Sequence, residues 1–182
     1  MFRKLLNSEL GRLSGEEFRE APKSGAVILL DNIRSQHNIG SAFRTADAFR
    51  IDKVVLCGIS APPGSPQMHK TALGAEFSME WEYFDDTCRA IAELRAQGYV
   101  IVGVEQTEGS VPLGEFEPAE GVRYAYLFGN EVRGVSQEAA DMCDLCIEIP
   151  QFGTKHSLNV SVAAGIVLWH AVGRKLKGAP KL

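Results

Sequence analysis

Short apolar runs alternate with segments of helical spacing along most of this chain. The runs lie at 26–30, 54–57, 79–84, 99–104, 124–128 and 145–149. Apolar runs of this length are typical of strands that helices cover on both faces of a sheet. Between them, apolar residues recur every three or four positions, as at Ile39, Phe43 and Ala46. The pattern predicts an α/β fold, with an open, mostly parallel sheet of about six strands and helices on both faces.

Length and composition indicate an ordinary globular domain. The chain has 182 residues, of which 45% are hydrophobic and 23% charged. These values predict a single domain over 1–182 with a short charged lead at 1–24. No apolar run is long enough to cross a bilayer, and no signal-peptide core follows the first residues. Because four cysteines do not make a disulfide framework in a chain of this size, we expect a cytoplasmic protein without a membrane segment.

Two stretches are expected to be loops. The stretch 58–77 contains three prolines, and a loop of this length in a compact domain is usually functional or mobile. The stretch 105–118 holds two glycines and two prolines. After the last strand, Ser157 or Asn159 can cap a long helix that ends before Gly178. The apolar positions of this helix are Leu158, Val162, Ile166 and Trp169.

The charge balance argues against a dedicated nucleic-acid binder. The net charge is −4 and the pI is about 5.6, whereas such proteins are more often basic. Basic residues are nevertheless clustered, because the tail after Ala171 contains no acid. The tail is either part of a local basic face or a solvated helix end that complements the helix dipole. Its basic residues are Arg174, Lys175, Lys177 and Lys181.

Several common site motifs are absent from the sequence. There is no G-x-G-x-x-G after the first strand, no P-loop and no G-x-S-x-G elbow. Cys143 and Cys146 have C-x-x-C spacing, but a zinc site needs two further ligands, and a redox pair usually starts a helix rather than a strand. We interpret them as small packed side chains and expect no metal. His37 and His156 lie beside the motifs described next, without metal-ligand spacing.

Three motifs follow one another in the chain. The first is Asn38-Ile39-Gly40-Ser41-Ala42-Phe43-Arg44-Thr45-Ala46, and the second is Leu127-Phe128-Gly129-Asn130-Glu131-Val132-Arg133-Gly134. The third is Ile149-Pro150 followed by Ser157-Leu158-Asn159-Val160-Ser161 at the head of a helix. In this order and at these distances, the motifs resemble those of the SpoU (TrmH-type) RNA 2′-O-ribose methyltransferases. The resemblance covers about 26–169.

The resemblance implies methylation of a ribose 2′-hydroxyl in tRNA or rRNA, with S-adenosylmethionine as the methyl donor. It also implies a homodimer whose RNA site uses both subunits, and a C-terminal trefoil knot that forms the cofactor pocket. Physical reasoning alone favours an unknotted sheet, because chains seldom thread loops. Two alternatives stay open: a catalytically silent RNA-binding or ribosome-assembly factor, and a methyltransferase that acts on a base nitrogen.

The resemblance also implies catalytic roles. Arg44 is expected to grip the RNA phosphate and stabilise the developing alkoxide, although a surface pair with Asp47 would also explain it. A guanidinium does not readily deprotonate, so a literal base is disfavoured. Asn38 is expected to cap its helix, to lie beside the substrate, or to do both, and Glu131 is expected to orient Arg44 or a residue of the third motif. The remaining catalytic candidates, Ser157 and Asn159, would bond the ribose hydroxyl or fix Arg44.

Binding residues complete the expected site. Gly129 would let the cofactor lie against the backbone, and Ile149 and Leu158 would sandwich the adenine. Val104, Glu105 and Gln106 would close the ribose or methionine side. The residues expected to bind RNA are Arg34, Arg44, Lys70 and Lys155. The segment 70–75 resembles a family segment near the RNA, although a short helix start is an equal explanation, and 163–165 would permit close helix approach.

Overall fold

Seven parallel strands form one sheet in this computed structural model, which describes residues 2–173. The strands are β1 (Ala26–Asp31), β2 (Lys53–Cys57), β3 (Trp81–Phe84), β4 (Tyr99–Val104), β5 (Val111–Pro112), β6 (Arg123–Phe128) and β7 (Leu145–Glu148). Their order is β3-β2-β1-β6-β4-β7-β5, and each neighbouring pair is parallel. The predicted open parallel sheet is therefore confirmed. The seventh strand is β5, which has two residues and is too short to show a pattern in sequence.

Helices cover both faces of the sheet. They are α1 (Gly15–Glu20), α2 (Gln36–Ala48), α3 (Pro66–Ala72), α4 (Ala75–Ser78), α5 (Thr87–Ala96), α6 (Gln137–Asp141) and α7 (Val160–Leu168). The larger core cluster joins one sheet face to α2, α3 and α7 through residues such as Phe43, Met68 and Val167. The smaller cluster joins the other face to α5 and α6. Side chains alternate between these clusters along β1, β2, β4 and β6, as expected of strands buried on both sides.

The last two long strands lie inside the sheet rather than at its edge. β6 sits between β1 and β4, and β7 between β4 and β5. The chain therefore returns to insert strands between elements that precede them. The C-terminal trefoil knot stays a prediction of the family resemblance. Within the described residues, no helix has the length and apolar character needed to span a bilayer.

The predicted loop at 58–77 is wrong in part, because it contains α3 and α4. Ser65 caps α3 by accepting a hydrogen bond from the backbone N–H of Met68, and Pro66 occupies the first turn. Both features favour a helix start. Gly40 permits α2 to pack against α3, since an added Cβ would lie closer than 3.0 Å to Thr71 Oγ1 and to the Met68 carbonyl. Of the three prolines in this stretch, Pro62 and Pro63 lie in the loop before α3, and Pro66 starts the helix.

The start of α2 differs from the prediction, whereas the start of the last helix agrees with it. α2 begins at Gln36 and its cap is Ser35, whose Oγ accepts the Asn38 backbone N–H. The expectation that Asn38 caps this helix is therefore wrong, and its side chain is free for other contacts. The last helix is capped by Asn159, and a wider π-helical turn follows it at Trp169–Gly173. The expected helix end before Gly178 and the basic tail lie outside the described residues.

Candidate active site

A cleft of about 470 Å³ opens at the carboxyl ends of β4, β6 and β7. Open α/β sheets bind their ligands at this edge, and pockets for small molecules commonly measure about 300–1,000 Å³. Three segments form most of its wall: the end of β4, the turn after β6, and the loop between β7 and α7. The lining residues include Val104, Glu105, Gln106, Phe128, Gly129, Asn130, Glu131, Ile149, His156, Ser157, Leu158 and Asn159.

A chain of hydrogen bonds joins the three motifs at the rim of this cleft. The Glu131 carboxylate accepts bonds from the backbone N–H groups of Arg34 and Ser35, each at 3.1 Å. It also accepts the Asn38 side-chain amide at 3.1 Å. The Asn38 oxygen in turn accepts the Asn159 amide at 3.0 Å. Segments separated by more than 90 residues in sequence are thereby held in one arrangement.

The same bonds set the charge of Glu131. Partial burial alone would raise the pKa of this carboxyl. Hydrogen bonds from the Arg34 backbone N–H, from the Asn38 amide and from the Ser35 backbone N–H outweigh that effect, so its pKa lies below the usual value. Glu131 is therefore ionised at neutral pH, where it anchors the N-terminal turn of α2.

The turn after β6 is held tightly by backbone contacts. Asn130 and Gly134 exchange both backbone hydrogen bonds, at 2.9 and 2.8 Å. An added Cβ on Gly129 would lie closer than 3.0 Å to backbone atoms of Gly134 and Val135. The requirement for glycine at position 129 thus comes from the chain's own turn, and room for a cofactor is not needed to explain it. Gly134 has a φ of +67°, as expected of a residue that completes a turn.

Glu105 has a role that the sequence does not suggest. One of its carboxylate oxygens accepts the Val135 backbone N–H at 2.9 Å, and the other accepts the Gln106 N–H at 2.9 Å. Its charge is therefore directed at the turn after β6 even though the residue lines the cleft. Gln106 reaches the opposite wall, where its side-chain amide donates to the His156 carbonyl at 3.0 Å. Together the two residues tie β4 to both other walls.

The loop between β7 and α7 supplies unused backbone groups. Over 149–158, the His156 carbonyl accepts the Gln106 amide, and the backbone makes no other hydrogen bond to any described residue. Ile149 packs against the larger core cluster, and Leu158 is partly exposed on the cleft wall. An apolar wall beside free N–H and C=O groups can hold a flat heterocycle and bond its polar edge.

Comparison with known proteins assigns the family. The model of the SpoU rRNA methylase family matches residues 25–169, about four-fifths of the chain. This chain belongs to the SpoU family. The predicted membership is confirmed, and its match includes all three motifs.

Two curated relatives of the SpoU chain illustrate the range of substrates. A 23S rRNA (guanosine-2′-O-)-methyltransferase from Neisseria meningitidis is 32% identical over 142 residues, which cover 78% of this chain and 56% of the relative. A tRNA (guanosine(18)-2′-O)-methyltransferase from Thermus thermophilus is 31% identical over 173 residues, covering 93% of this chain and 86% of the relative. This chain therefore spans little more than half the length of the first relative.

Solved structures share the SpoU fold. An AdoMet-bound rRNA methyltransferase from Sinorhizobium meliloti superposes with a TM-score of 0.79 at 28% identity, covering 88% of this chain and 61% of the other. The A. aeolicus TrmH/SpoU tRNA modifying enzyme gives 0.76 at 26% identity, covering 88% and 82%.

The structure brings most of the predicted SpoU site together. All six residues expected to bind the cofactor line the cleft: Val104, Glu105, Gln106, Gly129, Ile149 and Leu158. Glu131, Ser157 and Asn159 line it too, and Asn38 joins it by hydrogen bonds. Glu131 therefore orients the first motif directly and the third motif through Asn38.

The predicted cationic residues lie elsewhere. Arg44, Arg34, Lys70 and Lys155 are exposed and do not line the cleft. Within residues 2–173, the Arg44 side chain makes no hydrogen bond and no ion pair. Asp47 instead accepts the Ser78 hydroxyl at 3.3 Å. Within the described residues, Arg44 therefore does not pair with Asp47. The predicted contacts of Arg44 with Glu131, Ser157 and Asn159 are absent there too.

Asn130 and His156 also belong to the site, although the sequence motifs assign them no role. The Asn130 side chain accepts the Val132 N–H at 2.9 Å and donates to the Asn32 carbonyl at 2.6 Å, which shapes the turn. Asn130 follows a strand and a glycine, and asparagine is common in such turns. His156 lines the cleft, whereas the His37 carbonyl accepts the Thr71 hydroxyl at the α2–α3 contact.

The two C-x-x-C cysteines are packed. An added Cβ on Gly103 would lie within 3.1 Å of the sulfur atoms of both Cys143 and Cys146. Burial raises the pKa of Cys143 to about 12. A neutral thiol at this position fits the interpretation as a small packed side chain. The described residues contain no cluster of three or more histidine, cysteine or acidic side chains that could hold a metal.

Proposed function

We propose that this SpoU chain transfers a methyl group from S-adenosylmethionine to a ribose 2′-hydroxyl in tRNA or rRNA. The observation that carries the proposal is the hydrogen-bond chain from Glu131 through Asn38 to Asn159 at the rim of a cleft of nucleoside size. These hydrogen bonds hold the three motifs of a methyltransferase family together in one site. The named relatives act on guanosine 2′-hydroxyls of rRNA and tRNA, which supports the same acceptor here.

The cleft fits the proposed cofactor. Its volume suits a nucleoside with a short side chain, and Val104, Ile149 and Leu158 offer apolar surface for an adenine. The free backbone groups of the loop at 149–158 can bond the adenine edge. When bound, S-adenosylmethionine supplies an electrophilic methyl group on a sulfonium. The protein must hold the acceptor hydroxyl in line with it at near-attack distance.

The chain's polar groups then act on the acceptor. Ser157 lines the cleft with an exposed hydroxyl and can bond the ribose hydroxyl. Asn159 is held by Asn38 and positions the same group. Arg44 stabilises the developing alkoxide and grips the neighbouring phosphate, because a guanidinium forms a paired, charge-assisted bond with phosphate oxygens. Arg34, Lys70 and Lys155 are exposed cations available to the RNA backbone.

We further propose a homodimer that buries the outer face of α7. Val162 is 50% exposed and Trp169 59%, and Ile166 lies between them. These side chains recur at helical spacing and form an apolar stripe. A Cβ added to Gly165 would meet nothing within 4 Å among the described residues, so another chain could approach closely there. A large apolar stripe beside a functional cleft is typical of an interaction surface.

Mass spectrometry of ribose methylation tests the function. Purified protein is incubated with S-adenosylmethionine and either bulk tRNA or rRNA, and the nucleosides are then analysed for 2′-O-methyl groups. Mapping tRNA and rRNA from cells that lack the protein identifies the nucleotide. A protein that binds RNA but neither binds S-adenosylmethionine nor adds methyl groups is instead the silent RNA-binding or assembly factor. Methyl groups found on base nitrogens support the remaining alternative.

A further inference from the structure

Phe152 stands at the rim of the cleft with almost its whole side chain in water. It is 97% exposed, and its ring contacts no other ring among the residues described. The loop that carries it is part of the cleft wall, because Gln151 precedes it and His156 and Ser157 follow it there. Apolar side chains of this size are usually buried, and an exposed ring at the rim of a site is available to a ligand.

Geometry limits what that ligand can be. The proposed acceptor is a ribose that enters the cleft beside Ser157. The base of that nucleotide, or of the next one, must then lie at the rim, since a glycosidic bond is short. Phenylalanine has no polar atom in its side chain, so it can offer a base only a flat apolar face. Unpaired RNA bases bind proteins chiefly by stacking on such faces.

The surrounding charge suits RNA. Lys155 is exposed three residues after Phe152, and the cleft wall includes the exposed cation of Arg133. Of the acids on the wall, Glu105 and Glu131 are engaged in hydrogen bonds, and Glu148 is partly buried. An aromatic face flanked by cations is the usual composition of a single-stranded RNA contact.

We propose that Phe152 is a stacking platform for an unpaired nucleobase of the RNA substrate, at or next to the methylated nucleotide. The proposal rests on the RNA methyltransferase function proposed above. Phe152 would thus recognise an unstacked base from the loop between the two parts of the third motif, Ile149-Pro150 and 157–161. It also explains how an acidic chain binds RNA, because stacking requires no net positive charge.

The test compares four variants at position 152 in the full-length protein. Fluorescence anisotropy measures binding of labelled 12-mers of uridine and of adenosine, and of a fully paired RNA duplex. Phe152→Ala and Phe152→Leu are expected to weaken binding of the single strands about tenfold. Phe152→Tyr and Phe152→Trp should stay within about twofold of the parent, because both retain an aromatic face. Duplex binding should be unchanged by all four.

Controls separate this proposal from its alternatives. Phe77→Ala removes another exposed ring, one that contacts His69, and should leave single-strand binding unchanged. Calorimetric binding of S-adenosylmethionine and methylation of bulk tRNA or rRNA by the parent test the proposed function independently. The stacking proposal is overturned if Phe152→Ala binds single-stranded RNA as tightly as the parent, or if Phe152→Leu binds it as tightly as Phe152→Trp. It is also overturned if the parent binds no single-stranded RNA. A change of oligomeric state in Phe152→Ala would instead make the ring a subunit contact and overturn it too.

Discussion

Gly129→Ala tests whether the turn after β6 shapes the cleft. The φ of Gly129 lies outside the left-handed region, so alanine suits the backbone conformation and only space opposes it. The added Cβ would lie closer than 3.0 Å to the backbone of Gly134 and Val135, a separation that real Cβ atoms essentially never show. Backbone atoms cannot rotate aside as a flexible side chain can. The turn itself must therefore move by about 1 Å.

The cost follows from the bonds that such a movement breaks. Asn130 and Gly134 exchange two backbone hydrogen bonds, at 2.9 and 2.8 Å. The Val135 N–H donates a third, at 2.9 Å, to Glu105. At about 1 kcal/mol for each bond, the variant loses about 3 kcal/mol of unfolding free energy. Because the turn lines the cleft, binding of S-adenosylmethionine should weaken at least about tenfold.

Urea denaturation followed by circular dichroism measures the first effect, and calorimetric titration the second. Gly114→Ala is the matched control, because a Cβ there meets nothing within 4 Å. It should change the unfolding free energy by less than about 1 kcal/mol and leave cofactor binding unchanged. If Gly129→Ala is as stable as Gly114→Ala, the turn is not rigid and this reasoning is refuted. Normal cofactor affinity in a destabilised Gly129→Ala would refute the link to the cleft.

Three further predictions follow from the site and the outer helix face. Arg44→Ala should abolish methyl transfer while binding of S-adenosylmethionine stays within about twofold, since Arg44 lies outside the cleft; near-parental turnover would remove it from the mechanism. Glu131→Gln should lower the unfolding free energy by about 1–2 kcal/mol at pH 7. Because the pKa of Glu131 is lowered in the folded protein, this difference should persist above pH 4.5 and vanish as the pH falls through that lowered pKa. Urea denaturation at several pH values measures the difference, and a difference that grows on acidification would contradict the assignment. Val162→Asp should convert the dimer to a monomer, as measured by light scattering, whereas Val122→Asp at another exposed valine should leave the dimer intact. A dimeric Val162→Asp would place the interface elsewhere.

The sheet could be predicted from sequence because its strands carry their own pattern. β1 and β6 are continuous apolar runs, since helices cover both of their faces. β5 could not be found, because two residues show no period and its pairing with β7 depends on the rest of the sheet. α3 was hidden by the prolines around it, although Ser65 followed by Pro66 is a typical helix start.

The site could be predicted only where residue types matched known motifs. The residues lining the cleft follow strand ends, and the ends of parallel strands meet at one edge. The partners of Glu131 could not be predicted, because they depend on how α2 packs beside the turn after β6. Likewise, the sequence shows Glu105 as a polar residue at a strand end. Its contact with Val135, 30 residues away, exists only in the folded chain.

Helix geometry indicates where Arg44 acts. Asn38 faces the cleft network from the first turn of α2. Six residues later, at about 100° per residue, Arg44 is rotated by about 120° from Asn38 and displaced by about 9 Å along the axis. Its exposure agrees with this rotation. One chain thus presents its cleft and its Arg44 in different directions, and a homodimer could bring the arginine of one subunit to the cleft of the other.

Mixed dimers decide between the two arrangements. Arg44→Ala and Asn159→Ala subunits, each inactive alone, are unfolded together and refolded so that about half of the dimers are mixed. If Arg44 serves the partner's cleft, each mixed dimer contains one complete site, and about a quarter of the parental activity returns. If Arg44 serves its own cleft, both sites of a mixed dimer lack one residue and no activity returns. Recovered activity therefore requires a site shared between the subunits. If verified mixed dimers show no activity, Arg44 acts on the RNA bound to its own subunit.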